Sequence, residues 1–98
     1  MRTWEDYKEM VRNEGPEQAR MIDEIETNAH IIGEMIERRH DFNLSQRDLA
    51  KLCGIPHSTV ARIESCRISP RISTLQNIFD KLGMRLRVEI TPTASQKR

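Results

Sequence analysis

The chain has 98 residues, 32% of them charged and only 4% aromatic, with a net charge of +1. That length allows one domain with at most an appendage, and the composition suits helices rather than a β-sandwich. No apolar run approaches the roughly 20 residues of a membrane span, and Met1–Asp6 holds no apolar signal core, so a cytoplasmic protein is expected. Thr3–Asn13 predicts a short helix, with Thr3 as N-cap and Trp4, Tyr7, Met10 and Val11 at helical spacing. Gly15-Pro16 breaks it, and Pro16 suits a first helical position. From Pro16 to Arg39 one apolar stripe runs through Ala19, Ile22, Ile25, Ala29, Ile32 and Ile36. Either one helix spans this stretch, or Thr27-Asn28 caps a separate helix from 29. Phe42-Asn43 reads as a loop.

Ser45–Glu64 is the most informative stretch. Ser45 and Asp48 have capping-box spacing, and Leu44 can staple onto Leu49. Gln46–Cys53 predicts a helix with Leu49, Leu52 and Cys53 apolar, stopped by Gly54, a residue free to take positive φ. Ile55 plugs the corner, and Pro56 starts a second short helix, His57–Glu64, which buries Val60 and Ile63. The face left exposed carries His57, Ser58, Thr59, Ala61 and Arg62. A small residue at Ala50 lets the second helix cross the first closely. This is helix-turn-helix geometry, whose second helix enters the DNA major groove.

Ser65–Pro70 is a loop. Ser73 and Gln76 have capping-box spacing, and Ile72, Leu75, Ile78, Phe79 and Leu82 mark a closing helix ended by Gly83. Met84–Ile90 alternates strictly, with Met84, Leu86, Val88 and Ile90 on one face, which predicts a β-strand. A lone strand cannot satisfy its backbone, so Leu86, Val88 and Ile90 are expected to pair with a second copy or a partner's sheet. The alternative is that the segment merely covers the base of its own domain. Thr91–Arg98 is polar and expected to fray.

Charge is divided. Residues 1–37 carry four Lys/Arg against ten Asp/Glu, and residues 38–98 carry twelve against five, so the halves stand at −6 and +7. A basic half suits a polyanion. The acidic half must face something else, or be an ordinary solvated helix face. Enzyme chemistry finds no foothold: His30, His40 and His57 have no metal-ligand spacing with Cys53 or Cys66, and no nucleophile motif or phosphate loop is present. No cofactor and no metal are expected. Two cysteines without a secretion signal read as free thiols, and Cys53 as a small buried hydrophobe.

Gln46, Leu49, Ala50, Gly54, Ile55, Val60, Ile63 and Glu64 all fall where the lambda-repressor and Cro-like (Xre) family has matching residue types. The chain resembles that family from about Ile32 to Leu82. The fold class expected is therefore all-α: a lambda-repressor-like helix-turn-helix domain, an N-terminal helical extension, and a single C-terminal β-strand pairing in a dimer. The expected division is 1–27 acidic extension, 28–83 DNA-binding domain, 84–90 strand and 91–98 flexible tail. The resemblance implies base contacts by His57, Ser58, Thr59 and Arg62. Arg62 is the best bidentate donor to guanine. Gln46 is placed to bond a phosphate, and Arg47, Lys51, Arg67 and Arg71 are candidate backbone anchors, each with surface solvation as the plain alternative. Arg39 and Glu64 fall where the family places a buried salt bridge. The family usually has glycine where Cys66 stands, so Cys66 is either strained or in a loop of different shape.

The whole arrangement looks like HigA-type antitoxins of type II toxin–antitoxin pairs. That implies a homodimeric autorepressor on a palindromic double-stranded DNA operator, which also masks a basic RNase toxin of the RelE/HigB class. Trp4, Tyr7, Ile22 and Ile25 would be its apolar anchors for the toxin. A stand-alone Xre-type regulator with no toxin partner is the alternative.

Overall fold

A computed structural model of the chain describes residues 3–92. Five helices follow one another: α1 Trp4–Arg12, α2 Pro16–Asp41, α3 Gln46–Cys53, α4 His57–Glu64 and α5 Ile72–Lys81. α1 starts at a full capping box. The Thr3 hydroxyl accepts from the Asp6 N–H at 3.1 Å, and the Asp6 carboxylate accepts from the Thr3 N–H at 3.2 Å. α2 is one unbroken helix of 26 residues, about 39 Å long. Thr27-Asn28 does not interrupt it, and the helix passes through the expected boundary at residue 27.

α3 is capped by Ser45, whose hydroxyl accepts from the Asp48 N–H at 3.0 Å while Asp48 accepts from the Ser45 N–H at 3.0 Å. Those bonds hold the Asp48 carboxyl below its ordinary 3.8. The Ser73–Gln76 box does not form. α5 starts earlier, on extended Arg71, and has no side-chain cap.

Four helix ends share one device. Each closes with paired backbone bonds around a left-handed residue: Asn43 after α2, Gly54 after α3, Cys66 after α4 and Gly83 after α5. At α4 the Arg67 N–H donates to the Arg62 carbonyl at 2.9 Å and the Cys66 N–H to that of Ile63 at 3.0 Å. Asn and Gly tolerate this conformation; Cys66, at φ 61°, bears a Cβ there and is strained.

The core gathers Ile32 and Met35 of α2, Leu49, Ala50 and Cys53 of α3, Val60 and Ile63 of α4, and Leu75, Ile78, Phe79 and Leu82 at α5. Leu52 instead points outward. A satellite contact forms between α1 and α2, where Val11 and Ile22 are buried. The N-terminal half of α2 and all of α1 extend beyond the core. The radius of gyration is accordingly 16.2 Å, against about 13 Å for a compact chain of this length.

The expected C-terminal strand is absent: among the described residues there is no β-structure. Residues 84–90 follow α5 without regular secondary structure. Met84 and Leu86 pack on the core, while Val88 and Ile90 are exposed. Alternation placed Met84 and Leu86 on the core but failed for Val88 and Ile90. A strand also needs a second strand for its N–H and C=O groups, and the described residues provide none. The fold is all-helical, and Leu86, Val88 and Ile90 form no sheet. Thr91 and Pro92 continue without regular structure, and most of the expected flexible tail lies outside the described residues.

Candidate nucleic-acid interface

α3 and α4 meet through Gly54, whose φ of 70° turns the chain, and Ile55, half-buried in the corner. Pro56 takes the N-cap position of α4 rather than its first turn. Val60 and Ile63 then anchor α4 inward. Helical geometry puts the opposite face outward: His57, Ser58 and Arg62 are exposed, and Thr59 is half-buried at the edge. Ser58 and Arg62, four residues apart, lie one above the other. A hydroxyl, a guanidinium and an imidazole on one short, convex, exposed helix face form a set of donors suited to base edges.

Beneath α4 lies a buried polar network. Arg39 donates from Nε to Glu64 Oε2 at 2.7 Å and from Nη2 to Oε1 at 2.9 Å. Its Nη1 donates to the Leu44 carbonyl at 2.8 Å. The two side chains are only 10% and 6% exposed. Gln46 joins them, donating from Nε2 to Glu64 Oε1 at 2.9 Å. Four segments are thereby tied together: the end of α2, the loop after it, the start of α3 and the end of α4. This alters the expectation for Gln46, because its amide is turned inward to Glu64 rather than held out for a phosphate. No feature of the sequence spacing distinguishes the two roles. Asn77 was not singled out in the sequence, yet it donates from Nδ2 to the Cys53 carbonyl at 3.0 Å and fastens α5 to the end of α3.

Of the other candidate anchors, Arg47, Lys51, Arg67 and Arg71 are all exposed. Arg47 and Lys51 share a face of α3. Arg67 follows the turn after α4, and Arg71 sits at the N-cap of α5. Cys53 is buried, and that burial pushes its thiol pKa above the ordinary value, as befits an unreactive core residue. Among the described residues no three His, Cys, Asp or Glu side chains converge to hold a metal ion. No helix among the described residues is long and apolar enough to cross a membrane.

The expected anchors of the extension separate into two groups. Trp4, Tyr7 and Ile25 are exposed, with the Trp4 and Tyr7 rings stacked 5.7 Å apart. Ile22 is 1% exposed and cannot serve as an anchor. It lies on the side of α2 that α1 covers, so it is the local core.

Two closely crossed helices, with the second held on a buried ion pair, define a helix-turn-helix protein. Residues 35–88 match the helix-turn-helix family model HTH_3, and the chain belongs to that family. The HTH-type transcriptional regulator PuuR of Escherichia coli (strain K12) is 44% identical over 50 residues, 51% of this chain. The chain spans only 27% of PuuR's length. An uncharacterized HTH-type transcriptional regulator of Haemophilus influenzae is 29% identical over 85 residues, covering 87% of this chain and 82% of that protein. Among solved structures, a chain of a toxin–antitoxin module from Streptococcus pneumoniae superposes with a TM-score of 0.72 at 26% identity. That likeness covers 93% of this chain and 96% of the other.

Proposed function

We propose that the protein is a DNA-binding transcriptional regulator that serves as the antitoxin of a type II toxin–antitoxin module. The observation that carries the DNA-binding part is the exposed Ser58–Arg62 face of α4, braced from below by Arg39, Glu64 and Gln46. In this reading His57, Ser58, Thr59 and Arg62 meet base edges, and Arg47, Lys51, Arg67 and Arg71 meet phosphates. A homodimer would set two such helices about 34–36 Å apart on a palindromic operator. The antitoxin part is supported by the likeness to the Streptococcus pneumoniae module, which extends over 93% of the chain, well beyond the 35–88 of the family match. The toxin would be a basic RNase of the RelE/HigB class, as for a HigA-type antitoxin. A stand-alone regulator is the second reading, favoured by the likeness to PuuR and to the Haemophilus influenzae regulator.

A mobility-shift titration on the DNA upstream of the chain's own gene tests the first part. Arg62→Ala is expected to cost about 1–3 kcal/mol of sequence preference, roughly 5- to 150-fold, and to leave weak salt-sensitive binding. Unchanged preference would remove Arg62 from the site, and no shift at any salt would remove DNA binding altogether. Rescue of cells from the product of the adjacent gene separates antitoxin from stand-alone regulator.

A further inference from the structure

The strongest unused feature is the hairpin of α1 with the N-terminal half of α2. Trp4, Tyr7, Met21 and Ile25 are each 45–50% exposed. By helical spacing Tyr7, Met21 and Ile25 share one side of the hairpin; Trp4 stands at its edge, stacked on Tyr7 with the Lys8 ammonium 5.6 Å from its ring centre. Lys8 pairs with Glu5 and Glu26, and Arg12 with Asp23 and Glu26, so the ion pairs occupy one flank of the α1–α2 contact. By helical spacing Tyr7 lies on the other flank of α1, and Met21 and Ile25 on the matching flank of α2. The same stripe of α2 continues from Ile25 into core residue Ile32, so an apolar band leaves the core and runs out onto the projecting hairpin.

Charge selects what can cover it. Residues 3–37 hold ten carboxylates and three cations, a balance of −7. All three cations are already committed: Lys8 and Arg12 as above, and Arg20 to Glu17 at 4.0 Å. Among the described residues Asp6, Glu9, Glu14, Glu24, Glu34 and Glu37 have no cation within ion-pair distance. Nucleic acid and anionic lipid would be repelled, and the same face of a second copy would meet its own charge.

We infer that this face is a preformed docking surface for a separate, cationic protein, with Trp4, Tyr7, Met21 and Ile25 filling an apolar cleft flanked by Lys and Arg. The inference rests on the antitoxin reading for the existence of such a partner. The surface is folded before binding. A nine-residue helix is not stable by itself, and here the Thr3–Asp6 cap, the Val11–Ile22 contact and the Lys8 and Arg12 ion pairs hold it. Docking therefore avoids most of the ordering cost that a disordered segment bears.

The test uses the full chain and, as probe, the purified basic product of the adjacent gene, in calorimetric titration. Ile25→Asp and the Trp4→Ala/Tyr7→Ala pair are expected to weaken the complex at least 10-fold. Glu24→Lys should weaken it at low salt, with the deficit shrinking as salt rises. Helix content by circular dichroism and the operator shift should stay as in the parent. Partner affinity within 2-fold of the parent in both apolar variants, with the operator shift intact, would refute the surface and leave the regulator standing. A parent that shifts its operator but binds no such partner would overturn the surface and the antitoxin reading together. Dissociation of a homodimer by Ile25→Asp in sedimentation would show that a second copy is the occupant, and would overturn the proposal.

Discussion

Arg39→Ala is the most informative single change. It removes three donors at once, two from Glu64 and one from the Leu44 carbonyl. The Glu64 carboxylate, 6% exposed, would keep only the Gln46 amide. Breaking a buried pair from one side costs about 3–5 kcal/mol, because the surviving charge stays desolvated. A domain of this size has a total stability of about 5–15 kcal/mol. At about 4 °C or more per kcal/mol, the melting temperature should fall by at least about 12 °C. Urea unfolding followed at the helix band measures the loss directly, with an unchanged slope confirming that the unfolded state is the same. The double variant Arg39→Met/Glu64→Leu supplies the decisive comparison. Apolar replacement of a buried pair is often neutral, so the double variant should regain most of the stability that either single variant loses. It should still bind its operator less selectively, because the Val60 and Ile63 packing then holds α4 without the directional bonds that set its angle against α2 and α3. A cost under about 1 kcal/mol for Arg39→Ala, or a double variant that loses the sum of the singles, would refute the reasoning.

Cys66→Gly should stabilise the chain by about 0.5–1 kcal/mol, since relief of the left-handed strain outweighs the entropy that glycine adds to the unfolded state; a lower denaturation midpoint would contradict it. Gly33→Ala, in the middle of α2 with open space where its Cβ would stand, should add about 0.5–1 kcal/mol and leave the operator shift unchanged. Two capping and pairing groups set opposite pH limbs. The lowered Asp48 contributes stability above about 3.8, lost as pH falls through its folded value, and Ser45→Ala should flatten that acid limb. Lys8, raised first by its hydrogen bond to Glu26, contributes fully below 10.5 and loses its contribution as pH rises through its folded value. Glu26→Gln should blunt that alkaline limb, read as a melting curve against pH.

Much of the fold was legible because local chemistry announces itself. Ser45 and Asp48, Gly54 and the Val60–Ile63 pair each act within a few residues, so their spacing carries the geometry. The failures share a different cause. Met84–Ile90 alternates like a strand, but pairing is a property of two segments, and no second one lies among the described residues. Ile22 stands one step round the helix from Ile25, and the stripe cannot say which of them α1 will cover. Ser73 can cap in isolation, yet the helix begins at Ile72 because the backbone is already committed by extended Arg71. The acidic segment 1–37 looked separable by charge, but Ile32 and Met35 within it are core. A truncation meant to spare the DNA-binding domain must therefore end well before Ile32, after α1 rather than at residue 37.

That continuity of α2 constrains how the two proposed surfaces can influence each other. Met21, Ile25, Ile32 and Arg39 fall at steps of four, seven and seven, so one line of one helix carries the docking face, a core anchor and the strut under α4. Ile25 and Arg39 are about 21 Å apart along the axis. Within α2 the sole glycine is Gly33, and the helix runs unbroken between the two ends. Energetic coupling requires an element with two states that both ligands bias differently. A continuous helix, packed on α1 at one end and on the core at the other, is a poor candidate for such an element. What remains is charge. A cationic occupant would cancel part of the −7 of residues 3–37, reducing the repulsion that this segment exerts on a nearby phosphate backbone. The coupling would then be favourable, strongest at low ionic strength and gone once the Debye length is shorter than the separation. A bending mechanism would persist at high salt, so the salt dependence of operator affinity with and without the basic protein distinguishes the two.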